Sequence, residues 1–393
     1  MTRPYSTAII GVSGYGKIYL ERLRHHADVG DLKIVAAAIL NQSDEAAACE
    51  KLKTYGCRLY DDFITMLADQ RGCLDLVLIP TGIPWHTRMT VAALEAGANV
   101  LVEKPLAMTI REIEEIQCAR ERSGRFVAVG FQQMYADVTH QVRARIESGE
   151  IGRLRTVSGL GLWPRSPAYF SRNDWSGRVQ VGGVPVWDSP LTNGLSHYLM
   201  LSLFWSRTGT NDAIAHVEAE LYRAQAIESY DTAAIRLIMD TGVELLFFAT
   251  HSCRITLDPV LVLEGSEGRI VWTTDSCTLR RNDGSHLTLR VPDETEARRQ
   301  MFDCVIRRLQ DVAEPICTPE LAALHTRCVS AFHHAEGIHD IPPASLRHEP
   351  ALGAVAGQIH IAGIEDALFR AFVEHRLPAE IGIPWSRPAF VPE

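Results

Sequence analysis

Near the start of the chain a short apolar run, Thr7 to Ile10, breaks into Gly11-Val12-Ser13-Gly14-Tyr15-Gly16, and a helical pattern opens at Lys17. Strand, glycine turn and helix in that order constrain the fold strongly. The glycines permit a tight turn, let the backbone approach an anion and leave room for helix against strand, while N–H groups at the helix start face that anion. The same alternation then repeats. Apolar runs at Ile34–Leu40, Leu74–Pro80, Asn99–Glu103 and Phe126–Gly130 are separated by segments with apolar residues at three and four spacing, among them Thr87–Ala96 and Ile110–Arg122. Continuous apolar runs suit strands buried on both faces, so a parallel sheet covered by helices is expected.

A Rossmann dinucleotide-binding domain is therefore expected over residues 1–130. Beyond it the rhythm changes. Helical patterns at Val138–Ser148 and Leu191–Trp205 flank the run Arg153–Leu162 and a loop rich in Trp, Pro, Arg and Gly. Strand-like runs then follow at Ala213–Tyr222, Thr232–Met239, Val243–Thr250, Pro259–Glu264, Arg269–Thr273 and Leu287–Val291, with turn signals at Asp240-Thr241-Gly242 and Asn282-Asp283-Gly284. Hairpin spacing predicts an antiparallel sheet. Helical patterns return at Ala297–Asp311, Pro319–His334 and Ala354–Glu374. The expectation is an α/β chain: the Rossmann domain, then a second α/β domain over 131–393, whose last helix packs back on the first domain.

Composition excludes several function classes. With 39 Lys+Arg against 48 Asp+Glu, the net charge of -9 offers no basic face for nucleic acid. No run of about 18 apolar residues occurs, so no membrane partner is expected. Nine scattered cysteines without a C-x-x-C pair predict reduced thiols and no zinc site. His333, His334 and His339 match no metal spacing. The N-terminus lacks an apolar leader segment, and a cytoplasmic location is expected.

The phosphate loop departs from G-x-G-x-x-G at Ser13, whose hydroxyl can itself donate to phosphate. A carboxylate for the adenosine ribose is expected roughly 20 residues past the loop. The second strand instead ends Leu40-Asn41-Gln42-Ser43, with no Arg to pair a 2′-phosphate either. Asn41 or Gln42 can serve the ribose in either cofactor, and the choice between NAD and NADP stays open. At Glu103-Lys104-Pro105, proline keeps Lys104 extended at the carboxyl edge of the sheet, where open α/β sheets bind ligands. A partly desolvated lysine there can exchange a proton with a substrate hydroxyl, although strand-end lysines are usually only solvated.

The glycine loop, Asp75-Leu76-Val77-Leu78-Ile79-Pro80-Thr81 with Pro84-Trp85-His86, the run Ala93 to Pro105 and Ile146 to Arg153 together resemble the Gfo/Idh/MocA oxidoreductases, named for glucose–fructose oxidoreductase and inositol dehydrogenase. The resemblance implies NAD(P)-dependent transfer of hydride between nicotinamide and a sugar, cyclitol or related polyol, a substrate-binding and oligomerisation role for the α/β domain over 131–393 through a mostly antiparallel open sheet, and a homo-oligomer (dimer or tetramer). It implies Gly11, Ser13, Gly14, Tyr15, Gly16 and Asn41 along the dinucleotide, with Thr81, His86, Glu103 and Lys104 near the nicotinamide. Relatives carry an acid and a histidine four residues apart on a helix. Here Asn193-Gly194-Leu195-Ser196-His197 matches, with an amide in place of the acid, so Lys104, His197 and Asn193 are the expected catalytic residues. His197 is the natural base. Asp188 either supplies the missing carboxylate or caps the following helix.

Of seven tryptophans only Trp85 precedes residue 160, whereas Trp163, Trp175, Trp187 and Trp205 crowd together. Trp163, Tyr169, Arg172, Trp175 and Asp188 are accordingly expected at the substrate, since aromatic faces suit sugar C–H edges and Arg or Asp satisfies hydroxyls or a carboxylate. An aromatic interface or core is the plainer reading of the same loop. Two rival functions stay open. A nucleotide-binding regulator would bind cofactor without turnover, and an NAD-dependent glycosidase would oxidise transiently without accumulating NADH.

Overall fold

The computed structural model describes residues 3–207, 213–310, 313–333, 337–350 and 357–391, and these form two compact units. The first unit alternates strand and helix: β1 (Tyr5–Ile10), α1 (Gly16–Asp28), β2 (Leu32–Ala38), α2 (Ala46–Thr54), β3 (Arg58–Tyr60), α3 (Phe63–Asp69), β4 (Leu76–Ile79), α4 (His86–Glu95), β5 (Asn99–Val102), α5 (Ile110–Ser123) and β6 (Val127–Val129). The strands pair in parallel in the order β3-β2-β1-β4-β5-β6. This is the Rossmann order, in which direction reverses between β1 and β4. Every residue of β4 and β6 is buried, as their unbroken apolar runs predict. The three-residue edge strand β3 has only one fully buried residue and gave no apolar run to detect. Helix α5 is bounded by a Thr109/Glu112 capping box and by Gly124 at φ 64°.

The expected boundary at 130 is corrected. The first unit runs through Tyr135 and takes back Thr295–Thr326. There Phe302, on the helix Glu294–Gln310, meets Tyr19 of α1 edge-on at 5.0 Å, and Val129 N–H donates to Cys317 O at 2.9 Å. It is this segment, and not the last helix, that returns.

The second unit contains α6 (Asp137–Glu147), β7 (Leu154–Leu162), α7 (Pro167–Phe170), the small hairpin β8 (Gln180–Val181) and β9 (Val184–Pro185), and α8 (Ser196–Ser206). Then come β10 (Ile214–Arg223), β11 (Thr232–Met239), β12 (Glu244–Thr250), β13 (Leu257–Gly265), β14 (Gly268–Trp272), β15 (Ser276–Arg281), β16 (His286–Arg290) and β17 (Ile338–Asp340), with a separate pair β18 (Leu346–Glu349) and β19 (Gln358–Ile361). Nine strands pair in the order β16-β15-β14-β13-β7-β12-β11-β10-β17. All neighbours are antiparallel except β7 with β12 and β10 with β17. Gly242 (φ 79°) and Gly284 (φ 88°) close the two turns read from the sequence. β15, rich in Ser, Thr and Arg, carried no apolar run.

Strand β12 is buried along almost its whole length. Leu246 and Phe248 point to one face, where Ile364, Ala367, Leu368 and Ala371 of the last helix, Ile364–Glu374, join Leu160 in one cluster. Phe247 points to the other. The last helix thus packs within the second unit. The helix expected over Ala354–Glu374 begins only at Ile364. Residues 354–356 lie outside the described residues, Gln358–Ile361 is strand, and Gly363 at φ 71° sets the break. Asp311 and His334, the expected ends of two other helices, also lie outside the described residues. No helix among the described residues is long and apolar enough to cross a membrane.

Candidate functional site

The glycine loop sits at the carboxyl ends of β1 and β4, the switch point of the first sheet. Gly11 and Gly14 adopt φ 85° and 54°, where side chains are disfavoured. A Cβ on Gly16 would lie 2.9 Å from Gly11 O, so the turn closes only around glycine. Gly16 N–H donates to Ser13 O at 2.8 Å. Tyr15 stands at the N-cap of α1, the helix start has no side-chain cap, and its first turn holds no acid. These are the properties of an anion site at a helix N-terminus, and the loop fits a dinucleotide pyrophosphate. Tyr15 is exposed and its hydroxyl donates to Gln132 Oε1 at 3.3 Å. At the adenosine end Leu40 is 82% exposed and Asn41 is exposed, while Gln42 is committed to Asp61 through a 2.8 Å hydrogen bond.

Lys104 follows β5 through buried Glu103 into a cis Lys104–Pro105 peptide. Glu103 Oε1 accepts from Tyr19 OH at 2.7 Å and Oε2 from Lys104 N–H at 3.0 Å. Burial raises the Glu103 pKa, against the opposing pull of Lys104 and Tyr19. Nδ1 of His86 lies 2.7 Å from Pro105 O, and its Nε2 lies 3.1 Å from Thr81 O. Burial, aided by the charge of Lys104, lowers its pKa. His86 and Glu103 therefore spend their polar atoms on the backbone and on Tyr19. They brace the loops that present Thr81 and the half-buried Lys104, a part the sequence did not disclose.

In the second unit, the parallel ladder of β7 and β12 continues past both strands. Trp163 N–H donates to Thr250 O and Arg165 N–H to His251 O, each at 3.0 Å, and His251 Nδ1 lies 2.8 Å from Trp163 O. Trp163, Arg165 and His251 are thereby fixed at one sheet end. Tyr169 of α7 lies under two guanidinium groups, Arg165 at 4.8 Å and Arg172 at 3.6 Å from its ring centroid. Arg172 also lies 5.3 Å from the Trp175 ring. Trp163 Nε1 donates to Asp258 at 3.0 Å.

His251 was not singled out in the sequence. Its only sign there is its place directly after an apolar strand. Its ring is buried, and burial followed by the charge of Arg165 lowers its pKa to about 3. The unfolded chain thus binds a proton that the folded chain refuses between pH 6.5 and about 3, so stability present above pH 6.5 is lost as pH falls through that window. His251→Gln should flatten the fall. Urea midpoints at pH 7 and pH 5 measure it, and equal falls in variant and wild type would refute the assignment.

Asp188 is 2% exposed. Its Oδ2 accepts from Gly177 N–H and its Oδ1 from Asn193 Nδ2, both at 2.7 Å. It follows Trp187, which holds φ 45° and stacks on His333 at 4.8 Å. α8 starts at Ser196 with Leu195 at the N-cap and no side-chain cap. Asn193 lies in the turn before the helix, so the expectation that it shares a helical face with His197 is corrected, and of the two alternatives for Asp188 the cap on the following helix falls away, its carboxylate instead holding the Asn193 amide. A Cβ on Gly194 would lie 3.1 Å from the Trp163 ring and 3.8 Å from Arg165 Nη2, so this turn abuts the aromatic and arginine cluster. Trp163, Tyr169, Arg172, Trp175, Asp188 and Asn193 all lie in this unit around the sheet end and the adjoining turn, with Arg165 and His251 beside them. His197 is the second residue of α8.

Comparisons with known proteins agree with this architecture. Residues 5–131 match a family model described as an oxidoreductase family, NAD-binding Rossmann fold, and residues 139–271 match the GFO/IDH/MocA C-terminal domain. Inositol 2-dehydrogenase of Salmonella paratyphi B is 31% identical over 151 residues, 38% of this chain and 44% of that protein. The chain thus spans less than half the length of such curated relatives. Among solved structures, an inositol dehydrogenase homolog complexed with NAD+ from Azotobacter vinelandii superposes with TM-score 0.71 at 18% identity, covering 86% of this chain and 96% of that one. The WlbA dehydrogenase from Bordetella pertussis, in complex with NADH and UDP-GlcNAcA, gives 0.69 at 20% identity, covering 85% and 96%. At such identities these two show the fold alone. With both domain models matched in order along the chain, this protein belongs to the Gfo/Idh/MocA oxidoreductase family, and its first unit is an NAD-binding Rossmann domain.

Proposed function

We propose that the chain is an NAD(P)-dependent dehydrogenase or reductase acting on a hydroxyl or carbonyl of a sugar, cyclitol or related polyol. The observation that carries this is the glycine loop, closed so tightly that Gly16 admits no side chain, on the helix start of a family Rossmann domain. Hydride exchange is the chemistry a nicotinamide cofactor supplies when bound. Gly11, Ser13, Gly14, Tyr15 and Gly16 hold the pyrophosphate, Asn41 meets the ribose, and Thr81 and Lys104 flank the nicotinamide pocket, with His86 and Glu103 bracing them.

His197 takes the hydroxyl proton on oxidation and returns it on reduction. Lys104 supplies a positive charge that favours the alkoxide. Asn193 neither gives nor takes a proton. Its Nδ2 donates to Asp188 Oδ1, which fixes the amide beside that carboxylate. Asp188 and Asn193 together thus stand where relatives have a single acid.

The inositol dehydrogenase relatives support a polyol substrate. Cytoplasmic residence is part of the proposal, supported by nine free thiols. So is assembly into a dimer or tetramer, supported by the exposed pair Phe369 and Val373 on the last helix, 58% and 59% accessible. A polyol panel with NAD and with NADP, followed by absorbance of the reduced cofactor, should show stoichiometric reduction. Nucleotide binding without reduction by any polyol would instead favour a regulator.

A further inference from the structure

We propose that Arg165, Arg172 and His251 form a carboxylate subsite in the second unit, so that the substrate is a hydroxylated sugar acid such as a uronate or aldonate. This rests on the polyol dehydrogenase reading and narrows it.

Several other arginines of this unit pair with acids. Arg143 meets Glu147, Arg178 meets Glu228, Arg223 meets Asp340 and Arg236 meets Glu218, Glu244 and Glu380. Arg165 and Arg172 have no ion pair among the described residues, although both converge on the Tyr169 ring. Arg165 Nε is buried without a hydrogen-bond partner. An Nε–H that has shed water without gaining an acceptor is costly to keep, and the cost is offset when an anion arrives. Arg172 donates to Tyr169 O at 2.6 Å, which anchors its stem while the side chain stays exposed. A Cβ on Gly194 would lie 3.8 Å from Arg165 Nη2, so this guanidinium borders the turn that carries Asn193.

The chemistry selects the anion. Asp188 and Asp258 already offset part of the charge of the two guanidinium groups, so a monoanionic carboxylate is a better match than a phosphate dianion. The planar fork of arginine also matches a carboxylate with two parallel hydrogen bonds. The whole chain carries -9, so its general field repels anions, and attraction must come from a local arrangement of this kind.

His251 completes the match. Its Nδ1 faces Trp163 O and must be the protonated nitrogen, which leaves the neutral ring a lone pair at Nε2. That Nε2 is buried and without a partner. A buried acceptor beside two unpaired cations suits a ligand bearing a hydroxyl next to a carboxylate: the carboxylate accepts from arginine and the hydroxyl donates to His251. A neutral polyol would satisfy Nε2 and leave the guanidinium groups unmatched.

The test sets D-glucuronate, D-galacturonate and D-gluconate against D-glucose, D-galactose and myo-inositol, using the full chain with NAD and with NADP. At least one acid should exceed the neutral sugars in kcat/KM by about 10- to 100-fold, the value of a hydrogen-bonded charge. Arg172→Gln, a change at an exposed side chain that leaves folding intact, should erase most of that ratio by raising KM more than it lowers kcat. Arg165→Gln should do the same and Arg165→Lys restore only part, since an ammonium has no fork. Equal or better use of neutral sugars, an unchanged ratio in both glutamine variants, or preference for D-glucose 6-phosphate over every acid would overturn the subsite. If no sugar is turned over while NADH binds, the dehydrogenase reading fails separately. Calorimetric titration of the three acids into the NADH complex of wild type and Arg172→Gln still decides the subsite: binding of at least one acid, weakened in the variant, supports it, and no binding or equal binding overturns it.

Discussion

Replacing His197 with alanine lowers kcat by about 10²- to 10⁴-fold, the usual value of a positioned general base, and leaves NADH affinity unchanged. The expectation rests on what surrounds the residue. His197 stands at the start of α8, one residue after buried Ser196 and one before buried Tyr198, whose ring meets Trp163 edge-on at 5.8 Å. The helix start is therefore locked by packing, and the imidazole is carried by a rigid element. The other polar groups of the turn cannot replace it. Asn193 is an amide, and Asp188 is 2% exposed with both oxygens engaged by N–H groups. Steady-state kinetics and NADH fluorescence titration separate the two effects. A kcat within threefold of wild type would remove His197 from the proton path and leave Lys104 to carry it alone.

The two halves of the chain were unequally legible. In the first unit, local sequence and tertiary environment make the same demand. Strands buried on both faces need unbroken apolar runs, and the glycine loop needs glycine, so β1, β2, β4, β5 and β6 could be read directly. What escaped was the use of long-range backbone partners. Nothing near His86 in sequence shows that its ring will lie between Thr81 O and Pro105 O, nor that Glu103 will turn back to Tyr19. Such contacts arise from strand order, which joins residues far apart in the chain.

In the second unit the aromatic loop was visible as composition, but its arrangement was not. The parallel pairing of β7 with β12 crosses nearly ninety residues, and it alone places Arg165 beside His251. The Asn193 to His197 spacing suggested one continuous helix. The chain instead makes a turn first: Leu195 N–H reaches back five residues to Pro190 O and Ser196 N–H three residues to Asn193 O, and the regular helix begins only at Ser196.

Gly16→Val should raise the Kd for NADH at least about 100-fold and lower stability by about 1–3 kcal/mol, the usual cost of forcing carbon into a closed space. The obstruction is backbone: a Cβ at this position meets Gly11 O at 2.9 Å and Gly11 C at 3.2 Å, and neither can swing aside as the end of a side chain would. The loop must open, and opening it moves the amides at the start of α1 away from the concave arrangement that receives an anion. Gly30 supplies the control. It lies just beyond the other end of α1 at φ 87°, and a Cβ there meets nothing within 4 Å, so Gly30→Asn, which tolerates positive φ, should bind NADH like wild type. Gly16→Ala tests the same clash with the smallest possible side chain should the valine variant fail to fold. Kd by fluorescence titration and Tm by scanning calorimetry read the two consequences separately. If both Gly16 variants keep wild-type Kd and Tm, the pyrophosphate does not lie on this loop, and the cofactor assignment of the first unit has to be rebuilt from Asn41, Thr81 and Lys104.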